Sequence, residues 1–198
     1  MTSRPLTDGE TALAKTVFGA SIDYGAVRIS DEKFLGLNFL PEGTAMAPNG
    51  NLYMPGCYKD DYSQEPVMWQ GTFIHEMTHV WQFQNKILQP IAEAFKLTLK
   101  HDFNYTAAYA YTLDGKKDLL DYNMEQQASI VQDYFAMKQD GYYSPWGNCQ
   151  NTCDDDEKKK LFEKVMEKFI ADPGYAKKDT FAKPAAKPKD KGHKPPKA

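Results

Sequence analysis

The stretch FIHEMTHVWQ, from Phe73 to Gln82, constrains this chain most, because it places two histidines four residues apart within a helical pattern. At about 100° per residue, the apolar side chains between Val67 and about Lys86 share one broad arc. These residues are Trp69, Phe73, Ile74, Met77, Val80 and Trp81. His75 and His79 lie on the opposite, polar face. We therefore predict one helix whose histidines lie on its wet side and are not core residues.

The spacing of the two histidines suits a metal ion. Histidines at i and i+4 project about 40° apart, so both imidazoles can reach one zinc ion. Glu76 can stand beside the metal and accept a proton from bound water, whose pKa zinc lowers to about 7. In a chain with only four histidines, a chance His-Glu-x-x-His match has a probability of about 0.004. We predict His75 and His79 as ligands and Glu76 as the catalytic base.

Catalytic zinc normally takes a third protein ligand. The extended motif with a third histidine is excluded, because Gln82 and Asn85 occupy its glycine and histidine positions. Downstream candidates are Glu93, His101, Asp102, Asp121 and Glu125. In the predicted helix YNMEQQASIVQDYFAMKQ, Glu125 lies about 60° beyond the apolar stripe at Ala128, so it can face another helix across a cleft. We predict Glu125 as the third ligand, with His101 as the alternative.

Hydrolysis of a carbonyl compound also needs stabilisation of the oxyanion, which zinc peptidases often provide with the metal plus a Tyr or His donor. Tyr122, one helical turn before Glu125, and His101 are the candidates for that donor. Three polar neighbours of Glu125 are candidates to orient it, although the sequence names no partner for them. They are Gln126, Gln127 and Ser129.

The remaining pattern predicts an α+β fold. Thr7 and Glu10 match a capping box that begins a helix over about residues 8–19. Short candidate strands follow in AVRIS, in FLGLNFL and in GTAMAPNGNLYMPG, where Asn49-Gly50 marks a hairpin turn. An exposed hairpin strand is a candidate to pair with an extended peptide. The segment DDDEKKKLFEKVMEKFI predicts a last amphipathic helix.

Composition indicates one main globular domain with a charged tail. The chain has 198 residues, of which 41% are hydrophobic, and a net charge of −3. Residues 177–198 carry eight lysines against two aspartates and one aromatic residue, so they bury too little apolar surface to fold. We predict a domain over 1–171 and a disordered Lys/Pro-rich tail over 172–198. The tail lacks interleaved aromatics and nucleic-acid motifs, so we expect no nucleic acid partner.

Targeting and cysteine patterns are sparse. The N-terminus lacks the apolar region of a secretory signal, and no apolar run approaches the roughly 18 residues that span a bilayer. We therefore expect no membrane span, and export by another route. Cys57, Cys149 and Cys153 are too few for a disulfide framework, but Cys149 and Cys153 are candidates to pair in an oxidising compartment.

Three segments resemble the zincin-type (HExxH) metallopeptidase family associated with Rhs and Vgr elements of bacterial type VI secretion systems. They are FIHEMTHVWQFQ, TAMAPNGNLYMPG and YNMEQQASIVQDYF, and the likeness covers about two-thirds of the chain. The resemblance implies a zincin-like fold, in which a small twisted sheet with a hairpin packs against the histidine helix and a second helix carries the glutamate. It also implies Zn²⁺ on His75, His79 and Glu125, with Glu76 as the base.

The same resemblance implies an antibacterial effector that is made in the bacterial cytoplasm and secreted to the target-cell periplasm. Its expected reaction is zinc-dependent hydrolysis of peptide bonds in protein or cell-wall peptide. Its expected partners are a cognate immunity protein and a Vgr or Rhs spike component. The alternative is a catalytically weak, zincin-shaped adaptor module of a secretion spike, which the intact Glu76 disfavours because a structural site needs no base. CQNTC and the tail lie outside the likeness.

Overall fold

The computed structural model describes residues 3–36, 43–87, 108–140 and 147–176. Its strands are β1 (Ser3–Pro5), β2 (Arg28–Ser30) and β3 (Leu52–Tyr53). Its α-helices are α1 (Asp8–Phe18), α2 (Val67–Gln84), α3 (Met124–Asp140), α4 (Asp155–Val165) and α5 (Glu167–Ala171). The predicted α+β class is confirmed. The predicted helices over the histidine motif and over Glu125 are also confirmed, within two or three residues at each end.

The described sheet has the strand order β1-β2-β3. β1 is antiparallel to β2, with Ser3 opposite Ser30, and β2 is parallel to β3, with Ile29 opposite Leu52. The sequence analysis missed β1, because three residues ending in proline show no strand pattern. Pro5 is tolerated there, since β1 is an edge strand and proline cannot donate a ladder hydrogen bond.

The predicted turn at Asn49-Gly50 is present, although among the described residues an isolated bridge and not a two-stranded ladder closes it. Met46 and Tyr53 exchange backbone hydrogen bonds of 3.0 and 2.9 Å across the Asn49-Gly50 turn. Gly50 has φ +81°, and a Cβ there would lie 2.8 Å from the Phe83 ring, so a side chain fits neither the backbone nor the space. The hairpin tip therefore rests on the last turn of α2 and is held beside the histidine helix.

The predicted strand FLGLNFL is wrong for its first three residues. Phe34–Gly36 form a 3-10 turn, in which Leu35 has φ +51°. A short apolar run does not show by itself whether it is extended, because it lacks a period. The other residues of that segment lie outside the described residues.

The capping box that begins α1 is confirmed, and it joins a buried ion pair. The Thr7 side chain accepts from Glu10 N, and the Glu10 carboxylate accepts from Thr7 N at 2.9 Å. Arg4 donates to both carboxylate oxygens of Glu10 at 2.7 and 2.8 Å, and Tyr62 N donates at 3.0 Å. Glu10 is fully buried. It therefore ties β1, α1 and the turn before α2 together.

We expect Glu10→Ala to lower the free energy of unfolding by about 3 kcal/mol, because it leaves the Arg4 guanidinium partly buried without its partner. Urea denaturation followed by circular dichroism measures the change. Lys164→Ala is the matched control, since Lys164 and Glu167 form an exposed pair, and it should leave the midpoint unchanged. Equal midpoints for wild type and Glu10→Ala would contradict the prediction.

The apolar arc of α2 packs against the C-terminal helices. Trp81 is fully buried and meets Phe169 edge to face at 5.0 Å, while its Nε1 donates to Pro173 O at 2.9 Å. The predicted last helix is divided at Met166 into α4 and α5. Packing continues through the buried Ala176. The division between residues 171 and 172 stays a prediction, and residues 177–198 lie outside the described part.

The three cysteines form no disulfide among the described residues, so the predicted pairing of Cys149 and Cys153 is not present in this structure. Cys149 Sγ instead lies 3.5 Å from Asn151 Oδ1. Within the described ranges, no helix is both long and apolar enough to cross a membrane.

Candidate metal centre

The histidine face of α2 is covered by α3. His75 and His79 are only 7% and 6% exposed, so the prediction that they lie on a wet side is wrong. The face is polar because it meets polar side chains of α3, among them Glu125 and Gln132, which lie close to the two imidazoles. The separation of the histidines from the apolar arc, in contrast, is as predicted.

Three side chains converge between the two helices. Glu125 Oε2 lies 3.5 Å from His75 Nε2 and 3.3 Å from His79 Nε2. The candidate ligand atoms of all three residues lie within 4.8 Å of one another. Two turns of α2 and the first turn of α3 thus bring together the residues that the sequence analysis selected as a metal-binding set.

Each imidazole also has a partner on its far side. His75 Nδ1 lies 3.0 Å from Gln132 Oε1, and His79 Nδ1 lies 2.8 Å from Gln82 Oε1. An amide oxygen only accepts, so each Nδ1 is the donor and carries the proton. In the neutral rings, the Nε2 lone pairs therefore face Glu125. This is the tautomer that a metal-binding histidine needs.

The pKa shifts within the cluster show that its surroundings favour positive charge. Burial lowers the pKa of His79, but Glu125, Glu76 and Gln82 outweigh it and raise that pKa to about 9. Burial likewise acts to raise the pKa of Glu125, but His79 and His75 hold it well below its usual range. Neutral imidazoles beside a carboxylate are three facing acceptors, and a cation satisfies all three. Two imidazole nitrogens and one carboxylate oxygen are a donor set that zinc takes, so these residues fit it.

Glu76 is a buried carboxyl near this cluster. It is 4% exposed, and its Oε2 has no hydrogen-bond partner among the described residues. Burial raises the pKa of Glu76, His79 and His75 oppose the shift, and Glu125 adds to it. A carboxyl whose pKa lies above its ordinary value is suited to proton transfer near neutral pH.

The predicted oxyanion donors are not part of the described cluster. The Tyr122 hydroxyl accepts from Asp114 N at 2.9 Å and donates to Thr112 O at 3.3 Å. Its hydrogen bonds are therefore to the backbone of residues 112–114, and the side chain is 6% exposed. His101 lies outside the described residues, as do Glu93 and Asp102. Asp121 accepts from Asp118 N at 2.8 Å as part of a turn.

Sequence reasoning missed Tyr109. Its ring stacks on His75, with centroids 5.7 Å apart and an interplanar angle of 21°. Gln126, which the sequence analysis selected as a possible orienting group for Glu125, instead donates to Ala110 O at 2.8 Å. It therefore holds the segment that carries Tyr109 against α3. No periodic pattern marks such a contact between a loop and a distant helix.

The fold and site define an α+β protein with a buried His-His-Glu cluster between two helices. The sequence matches no protein-family model. Over 137 residues it is 44% identical to the type VI secretion system spike protein VgrG2b of Pseudomonas aeruginosa. That match covers 68% of this chain but only 13% of the spike protein.

A solved structure gives the same relationship at the level of the domain. The effector domain of Pseudomonas aeruginosa VgrG2b is 40% identical, with a TM-score of 0.61, over 71% of this chain and 77% of that domain. The chain therefore belongs to the family of the VgrG2b effector domain.

Proposed function

We propose that this protein is a zinc-dependent metallopeptidase that acts as an antibacterial type VI secretion effector. The observation that carries the proposal is the buried convergence of His75, His79 and Glu125 beside the carboxyl of Glu76. A structural zinc site closes its coordination with four protein ligands, whereas three ligands and an adjacent base suit catalysis.

When bound, zinc supplies a Lewis acid that polarises a carbonyl and makes water more acidic. His75 and His79 would hold the ion through their imidazoles, and Glu125 would provide a carboxylate oxygen and one negative charge. Glu76 accepts the proton released by the attacking water and returns it to the departing amine. Burial of the cluster keeps bulk water from competing for these groups.

Relationship to the VgrG2b effector domain supports the assignment to secretion. We propose that a Vgr or Rhs spike component delivers the protein to the periplasm of a target cell. There it cleaves peptide bonds in protein or in cell-wall peptide, and a cognate immunity protein protects the producer. The match covers only 13% of the spike protein. The proposal of these partners therefore depends on the relationship to VgrG2b and not on residues of the site.

The competing function is a zincin-shaped adaptor of the spike without appreciable turnover. An adaptor needs no buried carboxyl beside the ligands, and burial of Glu76 is unfavourable because its Oε2 has no described hydrogen-bond partner. A catalytic role accounts for this unfavourable burial, and an adaptor role does not.

Zinc removal tests the proposal. Purified protein should contain one zinc per chain, and should cleave unfolded protein or peptidoglycan-derived peptides. Chelation should abolish cleavage, and added zinc should restore it. Expression in the periplasm of a susceptible bacterium should be toxic, and cytoplasmic expression should not. Absence of bound zinc would overturn the metal assignment, and zinc without hydrolysis or toxicity would favour the adaptor.

A further inference from the structure

Gln82 hydrogen-bonds both to His79 and to the helix that carries Glu125. The side chain is fully buried on α2, one turn after His79. Its Oε1 lies 2.8 Å from His79 Nδ1. Its Nε2 donates to Met124 O and to Gln127 Oε1, each at 3.0 Å. One amide group thus contacts both ligand-bearing helices.

These contacts fix which end of the amide faces His79. Met124 O is a carbonyl oxygen and can only accept, so the amide nitrogen must face α3. Gln127 has its own nitrogen engaged with Tyr122 O at 2.7 Å, so its oxygen is the atom presented to Gln82. Gln82 Oε1 therefore faces His79 Nδ1, which must donate. The tautomer of His79 follows from two hydrogen bonds that lie outside the ligand set.

The same contacts locate the third ligand. Met124 directly precedes Glu125, and Gln127, in the first turn of α3, donates to Tyr122 O just before the helix begins. Gln82 and Gln127 together hold the first turn of α3 against α2. Displacement of the turn would carry Glu125 away from the imidazoles. Gln82 therefore acts on His79 directly and on Glu125 through the backbone.

We propose that Gln82 is a positioning residue that prepares His79 and Glu125 together for the metal, an inference that rests on the proposed zinc site. A neutral amide does this without adding negative charge to the cluster. Partners that orient metal-binding histidines typically change metal affinity by about 10- to 100-fold when they are removed. Gln82 supports two ligands, so its loss should fall near the upper end of that range.

Zinc affinity of the purified full chain, measured by competition with a chromogenic chelator, tests the inference without recourse to activity. Gln82→Leu should bind zinc about 10- to 100-fold more weakly than wild type. The control is Gln84→Leu, two residues further along α2, where the amide bonds to the backbone of Asp23. That variant should bind zinc within about twofold of wild type.

Gln82→Glu separates positioning from packing. The carboxylate still accepts from His79 Nδ1, but it faces the oxygens of Met124 and Gln127 where the amide donated. Gln82→Glu should therefore bind zinc at least about fivefold more tightly than Gln82→Leu, although it unfolds at a lower urea concentration than wild type. If Gln82 only packed the helices together, affinity would follow stability and this order would disappear.

The results separate the positioning role of Gln82 from the proposed zinc-dependent function. Wild-type zinc affinity in Gln82→Leu, or equal losses in the Leu and Glu variants, would overturn the role of Gln82 and leave the proposed function intact. Failure of the wild type to bind zinc would overturn both. If Gln82→Leu does not fold, Gln127→Leu takes its place, because it removes one of the two acceptors that orient the amide and also frees the contact to Tyr122 O. Unchanged affinity in Gln127→Leu would then count against the inference.

Discussion

Glu76→Gln should abolish the proposed peptide hydrolysis while zinc content stays at the wild-type level. Removing a general base costs about 10²- to 10⁴-fold in turnover, because an amide cannot accept the proton of the attacking water. Glutamine has the same shape, and Glu76 Oε2 has no described hydrogen-bond partner to lose. The fold and the ligands should therefore survive. Metal analysis and kcat on a peptide substrate measure the two quantities on one preparation.

The control for this variant is a glutamate away from the site. Glu163 is exposed on α4, so Glu163→Gln should keep both zinc and turnover. Periplasmic toxicity should follow turnover, with Glu76→Gln harmless and Glu163→Gln toxic. A Glu76→Gln protein that still cleaves at a tenth of the wild-type rate would remove Glu76 from the reaction. Toxicity without cleavage would instead favour an effector that acts by binding.

Local patterns in the sequence predicted the elements that carry the site. A capping box, a helical period and a four-residue histidine spacing involve residues within one or two turns, so their geometry follows from helix dimensions alone. The position of Glu125 at the edge of an apolar stripe was also sufficient to select it. These features place His75, His79 and Glu125 on the helix faces that meet in the structure.

Contacts between distant segments were beyond such patterns. Nothing local indicates that α3 covers the histidine face, so His75 and His79 were expected on a wet side. The pairing of β1 with β2 depends on residues more than 20 positions apart. The sequence gives Gln82 no role beyond excluding the extended motif, because its partners Met124 and Gln127 lie over 40 residues away. Tertiary packing, and not propensity, decides these contacts.

Glu125→Ala should lose zinc as well as hydrolysis, unlike Glu76→Gln, because it removes a proposed ligand. Loss of the carboxylate leaves two imidazoles and no negative charge, so zinc affinity should fall by more than the roughly 100-fold that losing a mere orienting partner costs. Hydrolysis should disappear with the metal, and excess zinc should restore it only partly. Competition with a chelator measures the affinity, and turnover is followed as zinc is added.

Asp121→Asn is the control for the Glu125 variant, because Asp121 was another acidic candidate near the start of α3 and caps a turn instead. It should bind zinc as the wild type does. The two variants together separate the roles within the cluster: zinc without turnover defines the base, and loss of both defines a ligand. Wild-type zinc affinity in Glu125→Ala would mean that the ion takes its third ligand from elsewhere. The close approach of Glu125 to both imidazoles would then be an ion pair between protonated histidines and a carboxylate.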